Sequence, residues 1–433
     1  MHKLVVEGGH PLEGTVPVSG AKNAALPLLA ATLLAPGEHR LENVPALQDV
    51  ETMLSLLGRL GCPSLVGHAL RLETSRIFFC EAPFDLVRRM RASVLVLGPL
   101  LARCGEAHVS LPGGCAIGVR PIDQHLKGLE ALGCRFELAD GTVHGRVDRL
   151  RGATIDLDMP TVTGTENILM AAVLAEGDTV IRNAALEPEV VDVARFLRSL
   201  GAAIEGEGTS EIRVRGVPRL SPATEPYRIL PDRIEAGTYL VAGAITGGSV
   251  TCTGARPEDL RALLDVLAAA GCDVGLDGAD VTVSRHGPIR AVDVATAPHP
   301  GFPTDMQAQA MALLALADGT SRITETIFEN RFMHVAELLR MGATVQVHGN
   351  QAVVAGVARL KGAAVVATDL RASAGLVLAA LAAEGSSEVL HLHHLDRGYE
   401  ALVPKLQGIG ARVCRVDLEA RSDRTAADAV ATA

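Results

Sequence analysis

The sequence has no tryptophan, and aromatic residues make up only 3% of it. Without stacking platforms, a single-stranded nucleic acid is a poor candidate ligand, and the cores must be built from Leu, Val, Ile and Ala. Positive charge is also in deficit, with a formal charge of −10 at pH 7. Such a field repels nucleic acid and anionic membrane surfaces, so any anionic ligand needs a local cationic pocket. Long apolar runs are missing too. The longest, Ala24–Ala35 and Ala372–Ala383, fall short of the roughly 18 residues that suggest a membrane span, and read as buried helices. The chain opens Met1-His2-Lys3 and turns polar again by Glu7, which predicts no secretory segment. No CxxC spacing occurs among Cys62, Cys80, Cys104, Cys115, Cys134, Cys252, Cys272 and Cys414. Free thiols in a reducing cytoplasm are the expectation.

What is present is a large apolar fraction, 48% of 433 residues, enough for two domains of roughly 200 residues each. A phrase also recurs: an apolar helix end, then a glycine followed by Cys or Ala, then a strand-like segment. Its glycines are Gly61, Gly133, Gly201, Gly271, Gly342 and Gly410, spaced by about 70 residues in an α/β repeat. Each suits the left-handed position that ends a helix. Upstream of each, a second apolar helix ends at Gly37, Gly105, Gly177, Gly247, Gly319 or Gly385. Each unit therefore reads helix, strand, helix, strand, and six units divide into three plus three. The proline-rich segment 215–231 is the expected linker. Residues 418–433 are polar and alanine-rich and read as a loose tail.

The stretch from Pro112 to Pro121 holds Gly113, Gly114, Cys115, Gly118 and Arg120. It suits a mobile loop better than a helix or strand. A guanidinium near Cys115 would favour its thiolate. The competing reading is a buried structural thiol. That reading fits Cys62, Cys134 and Cys272, which share one repeat position with Ala202 and Ala343; for Cys115 both stand. The segment Gly14–Asn23 fails as a nucleoside-triphosphate loop, because Lys22 is displaced and no Ser or Thr follows it. Lys22, Arg91 and Arg371 open the first, second and sixth apolar helices. Cations there oppose the helix dipole, and their recurrence points to a shared anion. Asp305 stands at the start of another apolar helix, either as an N-cap or as a functional carboxylate. Arg331 and Arg397 occupy equivalent loops of the fifth and sixth repeats. His391 and His393 would alternate on a strand, with His394 following, but no carboxylate or thiol lies close in sequence to complete a metal site.

Further phrases carry a resemblance: SGAKNAALP at 19–27, MRAS at 90–93, LPGGCAIGVRP at 111–121, EPEVVD at 187–192 and LPDRIEAGT at 230–238. TAPHPGFPTDMQAQ at 296–309, FENRFMHV at 328–335, TDLRAS at 368–373 and DRGYE at 396–400 add to it. The chain resembles the UDP-N-acetylglucosamine 1-carboxyvinyltransferases, a family of enolpyruvyl transferases, from Leu4 to about Val416. The resemblance implies an α/β fold of two inside-out barrels, each built from three copies of the unit, with helices inside and sheets facing solvent. It also implies that the first strand crosses over, so that residues 22–229 form one domain, and 1–21 with 230–417 the other.

The implied reaction is addition of the sugar nucleotide's 3′-hydroxyl to phosphoenolpyruvate, then elimination of phosphate. In the resemblance Cys115 is the general acid and Asp305 the base. Lys22, Arg120 and Arg397 contact phosphate, Lys22 and Arg397 counting also as catalytic, Arg331 and Arg371 surround the carboxylate, and Asn23 also binds phosphoenolpyruvate. The sugar nucleotide falls to Asn23, Arg91, Arg120, Pro121, Ile122, Asp123, Gln124, Thr161, Val162, Thr163, Gly164, Asp305 and Ile327. Pro160 stands where some relatives carry lysine. No cofactor and no metal are implied, and the partners are the two small molecules, without nucleic acid or membrane insertion. The oligomeric state is left open. Together the substrates bring about five negative charges, which fixed cations must offset. Three rivals remain: a transferase acting on shikimate 3-phosphate, a paralogue that binds without catalysis, and a structural repeat protein. The first has Asp-Lys-Ser where this chain has Ala21-Lys22-Asn23, and lacks the cysteine loop.

Overall fold

The computed structural model describes residues 2–111 and 122–417. They divide into two compact units, one of residues 19–111 and 122–232, the other of residues 2–18 and 233–417. Each unit carries three four-stranded sheets. All six share one pattern, in which one edge strand runs parallel to its neighbour and the other pairs are antiparallel. In the second repeat, Glu81–Ala82 pairs parallel with Glu106–Ser110. That strand pairs antiparallel with Thr142–Arg146, which pairs antiparallel with Arg135–Ala139.

The chain's start completes the last sheet: His2–Glu7 lies antiparallel between Ser386–Leu390 and Arg412–Asp417. Glu13–Pro17 runs parallel to Ser249–Thr253. The unit boundaries fall between Val18 and Ser19 and between Asp232 and Arg233, not at 21/22 and 229/230. The reason is local: the Asp232 amide donates to the Ser19 carbonyl and the Ala21 amide to the Leu230 carbonyl, at 2.8 Å each. The expected linker is likewise no free tether. Tyr227–Arg228 pairs parallel with the strand Glu38–Glu42, and Leu220, Ile229 and Leu230 are buried.

Helices come in two kinds because the sequence supplies two patterns. In one unit Leu97–Cys104 is apolar and buried as far as Leu101, and Lys22–Ala31 and Val162–Ala172 are apolar nearly all round and buried. So are Arg233–Thr246, Gln307–Leu314 and Leu370–Ala382 in the other. Amphipathic helices alternate with them along the chain. Gln48–Leu60 buries Val50, Met53, Leu56, Leu57 and Leu60 at helical spacing, and carries Asp49 and Glu51 in its first turn and Arg59 in its last, in the sense the dipole favours. Strands bury one face: Glu211–Arg215 turns Ile212 and Val214 inward and Arg213 and Arg215 out. The six marker glycines all adopt positive φ, from 87° at Gly342 to 104° at Gly201. At Gly61 a Cβ would also meet the Phe78 ring at 2.4 Å.

Three local expectations need correction. Each repeat holds more strands than its sequence pattern suggested, because the marker glycine leads into a hairpin rather than a single strand. In the second repeat the turn is Asp140-Gly141, both at positive φ, a strong hairpin signal. Asp305 does not open the apolar helix. It lies in the 3₁₀ turn Thr304–Met306, makes no cap, and the helix begins at Gln307. The strand expected to carry His391 and His393 ends at Leu390. His391 takes φ 62°, and residues 392–397 form a 3₁₀ helix, so the rings cluster instead of alternating. Among the described residues no helix is long and apolar enough to cross a membrane.

Candidate active site

In the unit of residues 2–18 and 233–417, Asp305 is the focus. Its Oδ1 accepts from Arg331 Nη2 at 2.9 Å, and its Oδ2 from Arg371 Nη2 at 2.9 Å and Nε at 3.1 Å. Both guanidiniums are buried, whereas the Asp305 side chain is 26% exposed. Two desolvated cations therefore share one partly exposed carboxylate. Arg371 reaches this place because Asp369 caps its helix, Oδ1 accepting from the amides of Arg371 and Ala372 at 2.9 and 3.0 Å. The Arg371 guanidinium also lies 5.8 Å from the Tyr399 ring centre. The Tyr399 hydroxyl meets Thr238 Oγ1 at 3.0 Å and accepts from Gln309 Nε2 at 3.3 Å.

Glu325 holds the loop beside Asp305. Its Oε1 accepts from the Thr296 hydroxyl at 2.9 Å and from the amides of Ile327 and Phe328 at 2.8 and 3.2 Å. Its Oε2 accepts from the Thr304 hydroxyl at 2.9 Å. This buried carboxylate ties the residue before Asp305 to the segment leading to Arg331. Arg397 ends the 3₁₀ helix and is half-buried. Burial pushes the neighbouring His394 imidazolium down to about 4, and His393 and Arg397 press in the same direction.

In the unit of residues 19–111 and 122–232, Lys22 begins its helix with Asn23 beside it. Its ammonium lies 3.1 Å from Asp49 Oδ2, with both side chains buried, and its amide faces Asp232 Oδ2 at 3.4 Å. Arg91 opens the 3₁₀ helix Arg91–Val96. Ile122 is buried, Asp123 exposed and starts the helix Asp123–Ala131, and Gln124 points inward. The Gln124 amide donates to Asp123 and Asp158 at 3.0 Å each and accepts from the Asp158 amide at 2.9 Å. Thr161 caps the helix of Val162, Thr163 and Gly164, its hydroxyl accepting from the Gly164 amide at 3.3 Å. This leaves early helix N–H groups at a dipole end suited to an anion. The buried His125 joins the two segments, with Nε2 3.2 Å from Thr163 Oγ1 and Nδ1 3.0 Å from Asn167 Nδ2.

The structure thus brings Asp305, Arg331 and Arg371 together, with Ile327 held nearby by Glu325. Separately it brings Gln124 and Thr163 together through their supports. Lys22, expected to meet an anion, has an internal one in Asp49. Cys115, Arg120 and Pro121 lie outside the described residues. Cys62, Cys134 and Cys272 are buried, and desolvation raises their thiols to about 11, 12 and 11. Sequence reasoning missed Asp49, His125, Asp158, Asn167 and Glu325. Each is an isolated polar residue whose partner is distant in sequence, so no local spacing marked it.

A profile of the EPSP synthase family (3-phosphoshikimate 1-carboxyvinyltransferase) matches residues 6–406. Among curated relatives, the UDP-N-acetylglucosamine 1-carboxyvinyltransferase of Anaeromyxobacter dehalogenans is 58% identical over 422 residues, covering 96% of this chain and 100% of that one. The protein of the same description from Nitratidesulfovibrio vulgaris is 57% identical, covering 96% and 99%. Among solved structures, the enolpyruvyl transferase NikO from Streptomyces tendae superposes with a TM-score of 0.86 at 29% identity, covering 96% and 99%. An EPSP synthase from Acinetobacter baumannii reaches 0.75 at 17% identity, covering 96% and 100%, which is a likeness of fold alone.

Proposed function

The chain belongs to the EPSP synthase family, and on that premise we propose that it transfers the enolpyruvyl group of phosphoenolpyruvate to the 3′-hydroxyl of UDP-N-acetylglucosamine, releasing phosphate. The product commits the sugar nucleotide to peptidoglycan. The observation that carries this reading is the carboxylate of Asp305 held between two buried guanidiniums, supported by relatives of that description over the whole chain.

In the addition step the 3′-oxygen bonds to C2 of phosphoenolpyruvate and gives up its proton toward Asp305, while C3 takes a proton from Cys115. The result is a tetrahedral ketal that still carries phosphate. In the elimination step C3 returns a proton to the Cys115 sulfur, the double bond re-forms, the C2–O bond to phosphate breaks, and phosphate carries away the proton that Asp305 took. Arg331 and Arg371 take the carboxylate of phosphoenolpyruvate; Lys22, Arg120 and Arg397 take its phosphate. In the free protein Asp305 occupies the guanidinium pair assigned to the substrate carboxylate. Binding phosphoenolpyruvate therefore displaces Asp305 and frees it to act as base. Asn23, Arg91, the segment 120–124, the turn 161–164 and Ile327 hold the sugar nucleotide.

The same reading extends to the fold: each unit is an inside-out α/β barrel of three copies of about 70 residues, its apolar helices covered by sheets with one polar face. The test is phosphate release from the full chain, which must require both phosphoenolpyruvate and UDP-N-acetylglucosamine. Shikimate 3-phosphate must not replace the sugar nucleotide.

A further inference from the structure

We propose that His125, oriented by Asn167, is a positioning residue that aims the Thr163 hydroxyl proton at the diphosphate of the sugar nucleotide. This rests on the assignment of the turn 161–164 to that substrate.

The argument follows the hydrogen bonds inward from the backbone. Asn167 Oδ1 accepts from the Gly98 amide at 2.6 Å, and its Nδ2 donates to the Val94 carbonyl at 2.9 Å. A backbone amide can only donate and a carbonyl only accept, so the orientation of the Asn167 side chain is determined. The helix carrying Gly98 has no room to relax: a Cβ there would stand 2.4 Å from the Asn167 carbonyl oxygen. The second Nδ2 proton of Asn167 faces His125 Nδ1 at 3.0 Å, which must therefore present its lone pair.

A neutral imidazole that accepts at Nδ1 carries its proton on Nε2. His125 is neutral across the working range. Burial pushes its imidazolium down to about 4, the Arg91 charge adds to this, and Asp123 opposes it. Nε2–H therefore donates to Thr163 Oγ1 across 3.2 Å. Because Nε2 already carries a proton, Thr163 cannot donate to the imidazole: its oxygen accepts there, and its own proton is left for another acceptor at the helix end where an anion is favoured. A histidine that only filled space would not need a defined tautomer.

The test begins with the intact wild-type chain labelled with ¹⁵N-histidine: the ring nitrogens of His125 must show the Nε2–H tautomer at neutral pH. The Nδ1–H form would overturn the proposal. Calorimetry then measures the affinity of UDP-N-acetylglucosamine and of uridine, which lacks the diphosphate. The variants are Thr163→Val, His125→Phe, His125→Gln and the pair Thr163→Val with His125→Phe. Both Thr163→Val and His125→Phe are expected to weaken UDP-N-acetylglucosamine by about tenfold or more, as for a lost charge-assisted hydrogen bond. The pair should be no weaker than either single variant, and uridine should be unaffected throughout. His125→Gln, whose amide can still donate, should recover part of the loss. Additive losses, equal losses for uridine, or unchanged affinity in His125→Phe would each overturn the positioning role. If the wild type itself does not bind UDP-N-acetylglucosamine, the functional reading falls and takes this inference with it.

Discussion

Glu166 is the buried group with most to say about stability. It sits inside the helix Val162–Ala172, 1% exposed, and neither carboxyl oxygen has a hydrogen-bond partner among the described residues. Burial raises its pKa well above the ordinary 4.5, and the charges of Glu189 and Glu187 push it further. The sign follows directly. Below pH 4.5 the carboxyl is protonated whether the chain is folded or not, and its burial adds no pH dependence. Above that the unfolded chain ionises while the folded chain must retain its proton, so stability falls as pH rises toward the folded pKa. The loss approaches about 1.4 kcal/mol per pH unit in that window. Glu166→Gln keeps the shape and cannot ionise, so it should abolish this dependence. Urea unfolding of wild type and variant, followed by circular dichroism at pH 5, 6 and 7, reads the difference. The advantage of the variant should grow as pH rises through this range. A constant gap, or one that shrinks with rising pH, would refute the reasoning, because Glu166 would then be ionised in the folded state.

Asp305→Ala should lower turnover by about a hundredfold or more yet tighten phosphoenolpyruvate, since Arg331 and Arg371 lose their internal competitor. Phosphate-release kinetics with calorimetry checks both halves, and weaker phosphoenolpyruvate binding would contradict the displacement. Lys405 lies 2.7 Å from Glu235, with only 12% and 2% of their side chains exposed. Lys405→Met should destabilise the fold by removing this ion pair from a buried carboxylate, and adding Glu235→Leu should restore much of the loss in urea unfolding. Glu325→Ala should destabilise by about 2 kcal/mol or more and lower turnover, because Thr304 and the Ile327 amide lose their shared acceptor. Thermal unfolding and phosphate release would report the two effects.

Much of the architecture was legible where a residue has few physical options. A glycine at a repeated helix end announced the left-handed turn, and Gly61 through Gly410 all adopt it. Helices apolar on every side, such as Ala24–Leu34, could only be buried. Where the sequence offered two equal choices, the surroundings decided. Asp305 has the right neighbours for an N-cap, but two guanidiniums distant in sequence, Arg331 and the helical Arg371, bind it more strongly than helix amides would. His391 and His393 have strand spacing, yet the chain turns at His391 through a left-handed conformation. The hairpin at Asp140-Gly141 carries a local turn signal of its own, two positive-φ residues between strands. Supports such as Glu325 and His125 were not readable. A single glutamate after a strand, or a single histidine on an apolar helix face, acquires meaning only from partners that folding supplies.

The most direct test of the account is phosphate release by the intact chain given both substrates, comparing wild type with Cys115→Ser. Enolpyruvyl transfer through an acidic thiol predicts release that needs both phosphoenolpyruvate and UDP-N-acetylglucosamine and collapses in the variant. Phosphate released from phosphoenolpyruvate alone, or undiminished transfer by Cys115→Ser, would contradict it.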